Sequence, residues 1–180
     1  NFCSMDKMYG KTFRRFSVER ILADISNAKQ QGANFILFSD DNFTLDVKGF
    51  ESLCDAIVDA GHNDIRYIIQ ASSTGIASSN TLVEKMARAG FRIVFLGIEN
   101  VSEENLRLMK KGNIIEKTKL AVKRLHEHDI MIVGGMIIGN PNDKEDDIAR
   151  NYEFFVDLQI DFFADQILTP YPKTGMRDEL

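Results

Sequence analysis

Apolar positions recur along the chain in two alternating rhythms. Val18, Ile21, Leu22, Ile25 and Ala28 repeat at helical spacing. Ser17 stands at the N-cap position, Phe16 and Ile21 fit a hydrophobic staple, and Gly32 ends the segment. Phe35-Ile36-Leu37-Phe38 then reads as a strand buried on both faces, closed by Ser39-Asp40-Asp41-Asn42. The unit repeats. Phe50, Leu53, Cys54 and Ile57 make a helix stripe ended by Gly61, and Ile65 to Gln70 a strand. Leu82, Val83, Met86 and Ala87, ended by Gly90, precede a strand from Arg92 to Gly97. A short helix from Ser102 to Lys111 is broken by Gly112. A further stripe of Ala121, Val122 and Leu125 leads into the strand Ile130 to Ile138. Ile148, Tyr152, Phe155 and Val156 form the last stripe, and Asp161 to Leu168 the fifth strand.

Strands alternating with helices imply parallel strands joined by right-handed crossovers. No linker, low-complexity segment or shift of composition divides the chain. Two architectures satisfy this pattern: an open doubly wound sheet and a βα barrel. Both place their sites at the carboxyl ends of the strands.

Those five ends carry polar groups or bared backbone. They are Ser39 to Asn42; Gln70, Ser72 and Ser73; Gly97 to Asn100; Gly139, Asn140 and Pro141; and Thr169 to Pro172. Helix capping accounts for Ser79, Ser102 and Asp143, and for Asp46 with Leu45 and Phe50 as a staple. Asp40, Asp41 and Glu99 come earlier, directly after buried runs, where an unpartnered carboxylate is costly. They call for a ligand, a metal or a salt bridge within the rim. The run Gly134-Gly135-Met136-Ile137-Ile138-Gly139 lacks the spacing of a phosphate loop. Its glycines admit either a flat group against the strand or tight strand packing.

Charge and cysteine usage narrow the classes. The 180 residues hold 22 Lys plus Arg and 27 Asp plus Glu, a net charge of −5, which excludes a broad phosphate-binding face as the main purpose. No apolar run approaches the roughly 20 residues of a membrane span. Two cysteines, Cys3 and Cys54, cannot make a disulfide scaffold, so the chain reads as intracellular. Cys54 falls in an apolar helix stripe and reads as core. His126 and His128 point to different faces of a helix, and His62 stands apart from both, so the histidines read as surface groups rather than a metal set. Arg107, Lys110 and Lys111 read as a solvated helix end. The chain starts at Asn1 and stops at Leu180 without a tail, which reads as a piece of a longer protein.

Asn1-Phe2-Cys3-Ser4-Met5 looks like the end of C-x-x-x-C-x-aromatic-C, the motif of the radical S-adenosylmethionine (radical SAM) superfamily. Asp40-Asp41-Asn42-Phe43 resembles a variant of the family's amino-group-binding turn found in cobalamin-associated members. Gly135, Ile137 and Gly139 match the family's G-x-I-x-G-x-x-E stretch, with Asn142 in place of its Glu. Leu168-Thr169-Pro170-Tyr171-Pro172-Lys173-Thr174-Gly175 is similar to the L-T-P-Y-P-G-T-P segment of the same branch.

The resemblance implies an α/β fold, a partial parallel (β/α) barrel, TIM-like, with residues 1–180 supplying strands two to six of six. The first strand, two cysteines three and seven residues before Cys3, and any cobalamin-binding domain would lie upstream. It also implies a [4Fe-4S] cluster and S-adenosylmethionine as cofactors, with cobalamin in the parent protein. The implied activity is reductive cleavage of S-adenosylmethionine to a 5′-deoxyadenosyl radical, used for methyl transfer, methylthiolation or rearrangement of an unidentified substrate.

By the same resemblance, Cys3 is a cluster ligand and Phe2 covers the adenine side. Asp40 or Asp41 holds the ammonium and Glu99 the ribose hydroxyls. Ile137 and the backbone from Leu168 to Thr169 and Pro170 bracket the adenine, with Gln70, Gly135 and Gly139 as further cofactor-binding positions. A flavodoxin- or ferredoxin-like electron donor, a cytoplasmic location, and no membrane or nucleic-acid partner for this segment complete the expectation. With one suitably placed cysteine, the chain alone is expected to be inactive. The competing reading is a non-redox barrel whose Asp40, Asp41 and Glu99 bind a divalent cation or polar metabolite.

Overall fold

A computed structural model describes residues 3–5, 8, 10 and 14–179. Helix α1 (Val18–Gln30) begins where the Ser17 hydroxyl accepts from the Arg20 amide at 3.3 Å. Its stripe of Val18, Ile21, Leu22 and Ile25 packs on the core. Phe16 is 77 % exposed, so the expected staple does not close. The chain continues through β1 (Phe35–Leu37), a 3-10 turn (Phe43–Asp46), α2 (Val47–Asp59), β2 (Arg66–Ser72) and α3 (Ser73–Ser78). Then come α4 (Leu82–Ala89), β3 (Phe91–Glu99), α5 (Glu103–Leu108), α6 (Ile115–His126) and β4 (Met131–Ile138). Helix α7 (Glu145–Asp157), β5 (Phe162–Ile167) and α8 (Gly175–Glu179) close it. No helix among the described residues is long and apolar enough to cross a membrane.

All strand pairs are parallel, and the order β1-β2-β3-β4-β5 follows the chain. An open doubly wound sheet reverses its strand order partway. Here every crossover steps the same way, so the sheet curls into a half-barrel with its helices outside. The convex face buries Tyr67, Ile69 and Ala71 of β2, Val94, Leu96 and Ile98 of β3, and Ile132 and Met136 of β4. Leu53, Cys54 and Ile57 of α2, Leu82 and Met86 of α4, Leu125 of α6 and Phe155 of α7 cover them. Cys54 lies wholly inside this core, and burial pushes its thiol pKa far up.

The concave face is built in rows, because residues in parallel register share a face. Leu37, Ile68, Ile93 and Met131 form a row toward the amino ends. Gln70, Phe95, Val133 and Phe162 form the next. Ser72, Gly97, Gly135 and Ala164 follow, all small, and Ile137 and Gln166 face each other at the carboxyl rim.

Two local expectations are corrected. Phe35 and Leu37 are 46 % and 59 % exposed, because β1 is an edge strand whose concave side is open; the other side, Ile36 and Phe38, packs inward. Asp46 makes no side-chain cap and Leu45 is exposed; Asp46 instead pairs with Arg15.

Candidate functional site

The carboxyl rim is laced by side chains. Asn42 Oδ1 accepts from the Thr44 amide at 3.1 Å and the Thr44 hydroxyl at 2.7 Å. The same hydroxyl lies 3.0 Å from that of Ser72 and accepts from the Ser72 amide at 3.1 Å. This ties the loop after β1 to the end of β2. Ser73 donates to the Gly97 carbonyl at 3.3 Å, tying β2 to β3. Asn100 Nδ2 donates to the Ile137 carbonyl at 3.0 Å, tying β3 to β4. The Leu168 amide donates to the Ile138 carbonyl at 2.8 Å, tying β4 to β5. Thr44, Ser73 and Asn100 are buried, and the Asn100–Ile137 bond is made away from competing water.

Behind the last ties lies a cavity of about 500 Å³ lined by Cys3, Ser4, Ile137, Gln166, Ile167, Leu168, Thr169 and Tyr171. That is the size of a small-molecule site. The fold therefore brings together Cys3, Ile137, Leu168 and Thr169 from three separate stretches of sequence. Thr169 Oγ1 donates to the Ile167 carbonyl at 3.0 Å. Ser4 and Tyr171, which lie within the quoted motif stretches, also line this cavity, and so does Gln166, which no sequence motif picks out. Strand alternation is the signal for Gln166: its register partner is Ile137.

Other expected residues lie elsewhere. Asp40 lines a second cavity of about 830 Å³ under α1, with Arg14, Arg15 and Asn42 among its neighbours. Asp41 is exposed on the same loop. Gln70 sits on the concave face level with Phe95, and Gly139 turns the chain out of β4 at φ 77°. Phe2 lies outside the described residues.

Glu99 ends β3 in a rare backbone state. Its φ is 69°, and the Asn100 amide donates back to the Ile98 carbonyl at 3.0 Å. That combination is a γ-turn of the strained hand. The Glu99 carboxylate turns back over Gly97, and Lys111 Nζ lies 2.7 Å from its Oε1. Lys111 is thus part of the rim rather than a solvated helix end.

The glycine run serves two faces of β4. A Cβ on Gly134 would come within 2.8 Å of Phe155 and Ile160 under α7, so this glycine is tight packing. A Cβ on Gly135 would come within 2.9 Å of the Phe95 ring on the concave face. The flat group against that strand is the protein's own. Asn142, at the expected Glu position, bonds Glu104 on the surface. The next residue, Asp143, turns into the rim instead. It accepts from the Asn140 amide at 2.8 Å and from Asn105 Nδ2 at 2.7 Å, so it caps no helix; Asp147 bonds the Lys144 amide at the start of α7.

Among the described residues no group of three or more His, Cys, Asp or Glu could hold a metal ion. Asp40 lies on the loop after β1 and Glu99 at the end of β3, and Glu99 is paired with Lys111, so the divalent-cation reading lacks its ligand set among the described residues. A [4Fe-4S] cluster with one open iron needs three thiolates. Of the two cysteines, Cys54 is sealed in the core and Cys3 alone reaches a cavity, so this chain by itself does not fit the group.

The model of the Radical SAM superfamily matches residues 1–155. An uncharacterized methyltransferase of Pyrococcus horikoshii is 32 % identical, over 97 % of this chain and 38 % of its own length. A bacteriochlorophyllide d C-12(1)-methyltransferase of Chlorobaculum tepidum is 28 % identical, over 100 % of this chain and 40 % of its own. The chain thus spans about two fifths of the curated relatives it matches. Among solved structures, the radical S-adenosylmethionine methyltransferase TsrM of Kitasatospora setae, with cobalamin and a [4Fe-4S] cluster bound, superposes with a TM-score of 0.82. It is 20 % identical, over 92 % of this chain and 33 % of that one, a likeness of fold.

Proposed function

The chain belongs to the radical SAM superfamily, whose members bind a [4Fe-4S] cluster and S-adenosylmethionine; on that premise we propose that this half-barrel is the adenosyl-binding core of an enzyme that modifies carbon centres, with methyl transfer favoured over methylthiolation or rearrangement. The observation that carries this reading is the cavity that joins Cys3 to Ile137, Leu168 and Thr169. The preference for methyl transfer rests on the names of its relatives.

The chain's own residues have defined tasks in this reading. Ile137, 7 % exposed, offers an apolar wall for one face of adenine, and the backbone of Leu168 and Thr169 offers groups for its polar edge. Gly135 and Gly139 shape the strand on either side of that wall. Glu99, held by Lys111 through one oxygen, accepts from ribose hydroxyls with the other. Asp40 or Asp41, on the loop after β1, takes the ammonium by a charge-assisted bond, and Gln70 is a further polar group on the concave face. Cys3 would hold such a cluster by one thiolate, and the cluster would need its remaining thiolates from elsewhere. The cluster and S-adenosylmethionine, when bound, supply the one-electron chemistry; the half-barrel binds, orients and excludes water.

A cobalamin-binding domain and a flavodoxin- or ferredoxin-like electron donor are the partners this reading calls for in the whole protein. Calorimetric titration of the chain with S-adenosylmethionine is expected to show saturable binding that Ile137→Glu abolishes. Absence of binding to the unaltered chain, or binding that survives Ile137→Glu, overturns the reading.

A further inference from the structure

We propose that Asn100 is a positioning residue for the adenosyl site: its buried amide clamps the strained turn carrying Glu99 to the Ile137 wall and so fixes the spacing between the two. The inference rests on the adenosyl-binding reading and adds a residue to it.

The β3–β4 ladder leaves register at this point. It shifts between Gly97 and Glu99, where Glu99 comes opposite Met136. Past the shift the β3 backbone has turned on itself, with the Asn100 amide spent on the Ile98 carbonyl. The strand therefore offers no backbone donor to Ile137, and Asn100 Nδ2 takes that place at 3.0 Å. The other end of the same amide is engaged too. Asn100 Oδ1 accepts from the Ser102 amide at 2.8 Å and from Asn105 Nδ2 at 3.3 Å. Asn105 also reaches Asp143, whose second oxygen holds the Asn140 amide just after β4. The loops after β3 and β4 thus close on each other through a buried chain of side chains.

Asn100 is 1 % exposed and Asn105 5 %, so the bonds from Asn100 to the Ile137 carbonyl and from Asn105 to Asn100 are made away from bulk water. A non-glycine residue at φ 69° persists only where its surroundings over-determine it. This network is the over-determining element for Glu99. A side chain that acts in this way should alter ligand affinity out of proportion to its effect on folding.

Asn151 provides the comparison. It is fully buried, accepts from the Val101 amide at 2.8 Å and donates to the Asp147 carbonyl at 2.9 Å, and neither bond involves Glu99 or Ile137. The test compares Asn100→Ala, Asn100→Asp and Asn151→Ala, with urea midpoints and S-adenosylmethionine affinity measured for each. Asn100→Asp keeps the acceptor toward Ser102 and loses the donor toward Ile137. It serves also if the alanine variant fails to fold.

The Asn100 variants are expected to bind about tenfold more weakly, with Asn151→Ala within about twofold of the unaltered chain at comparable loss of stability. Unaltered affinity in Asn100→Asp, or equal weakening in Asn151→Ala, overturns the proposal while leaving the adenosyl site standing. Failure of the unaltered chain to bind overturns the underlying reading and the proposal with it.

Discussion

Lys111 Nζ lies 2.7 Å from Glu99 Oε1, and the Glu99 side chain keeps only 12 % of its surface in water. An ion pair this shielded is worth more than one on the open surface, and removing its cation leaves a poorly solvated carboxylate. Lys111→Met is expected to lower stability by about 1–2 kcal/mol. A urea double-mutant cycle with Glu99→Gln should show that the two losses do not add; additive losses would mean the pair is not coupled.

The two cysteines should differ in reactivity. Cys3 is exposed, whereas Cys54 is buried in the core with its thiol held protonated by desolvation. Under native conditions an aromatic disulfide reagent is expected to titrate one thiol, and in denaturant two. Cys3→Ser should abolish the native reaction. Rapid native modification of both would contradict the packing of α2.

Alkaline pH should loosen the fold through Tyr67. Its ring is fully buried and its hydroxyl donates to the His62 carbonyl at 2.9 Å. Burial, with the Asp64 charge adding to it, pushes the phenol up from 10.0 to about 12. Because the folded state holds this proton more tightly, its contribution is complete below pH 10 and disappears as pH rises toward 12. Urea midpoints should fall across that window, and Tyr67→Phe should flatten the fall. An identical decline in the variant would assign it to other groups.

Gly90 ends α4 at φ 99°, and a Cβ there would stand 2.3 Å from the Ile65 carbonyl oxygen. Both backbone strain and collision with main chain oppose any side chain. Gly90→Ala is expected to cost about 2–4 kcal/mol, read as a lowered thermal or urea midpoint. A shift within about 0.5 kcal/mol would show that the α4–β3 turn can relax.

The sequence makes the convex half of the fold plain. Tyr67, Ile69, Val94, Leu96 and Ile132 alternate with less buried neighbours, and Leu53, Ile57, Met86 and Leu125 recur at helical spacing, because both patterns answer to one buried interface. The strand carboxyl ends are legible for the same reason: buried runs stop where polar residues begin. The joining of Cys3, Ile137, Leu168 and Thr169 follows motifs that lie far apart in the chain. What the sequence hides is how polar residues pair. Asn100 looks like an ordinary strand-end residue, Asn105 like an ordinary helix residue and Asp143 like a helix cap, since nothing local distinguishes a solvated asparagine from one 1 % exposed. Glu99 and Lys111 meet only after α5 folds between them. Phe35 and Leu37 mislead for the opposite reason, being apolar on a face that the half-barrel leaves open.

The Phe95 ring resting against Gly135 has a consequence for access. It projects from the second row of the concave wall toward the row of small residues above it. It works as a depth stop. A guest descending from the strand tips reaches aromatic carbon, level with the Gln70 amide, before it reaches the aliphatic base of the trough.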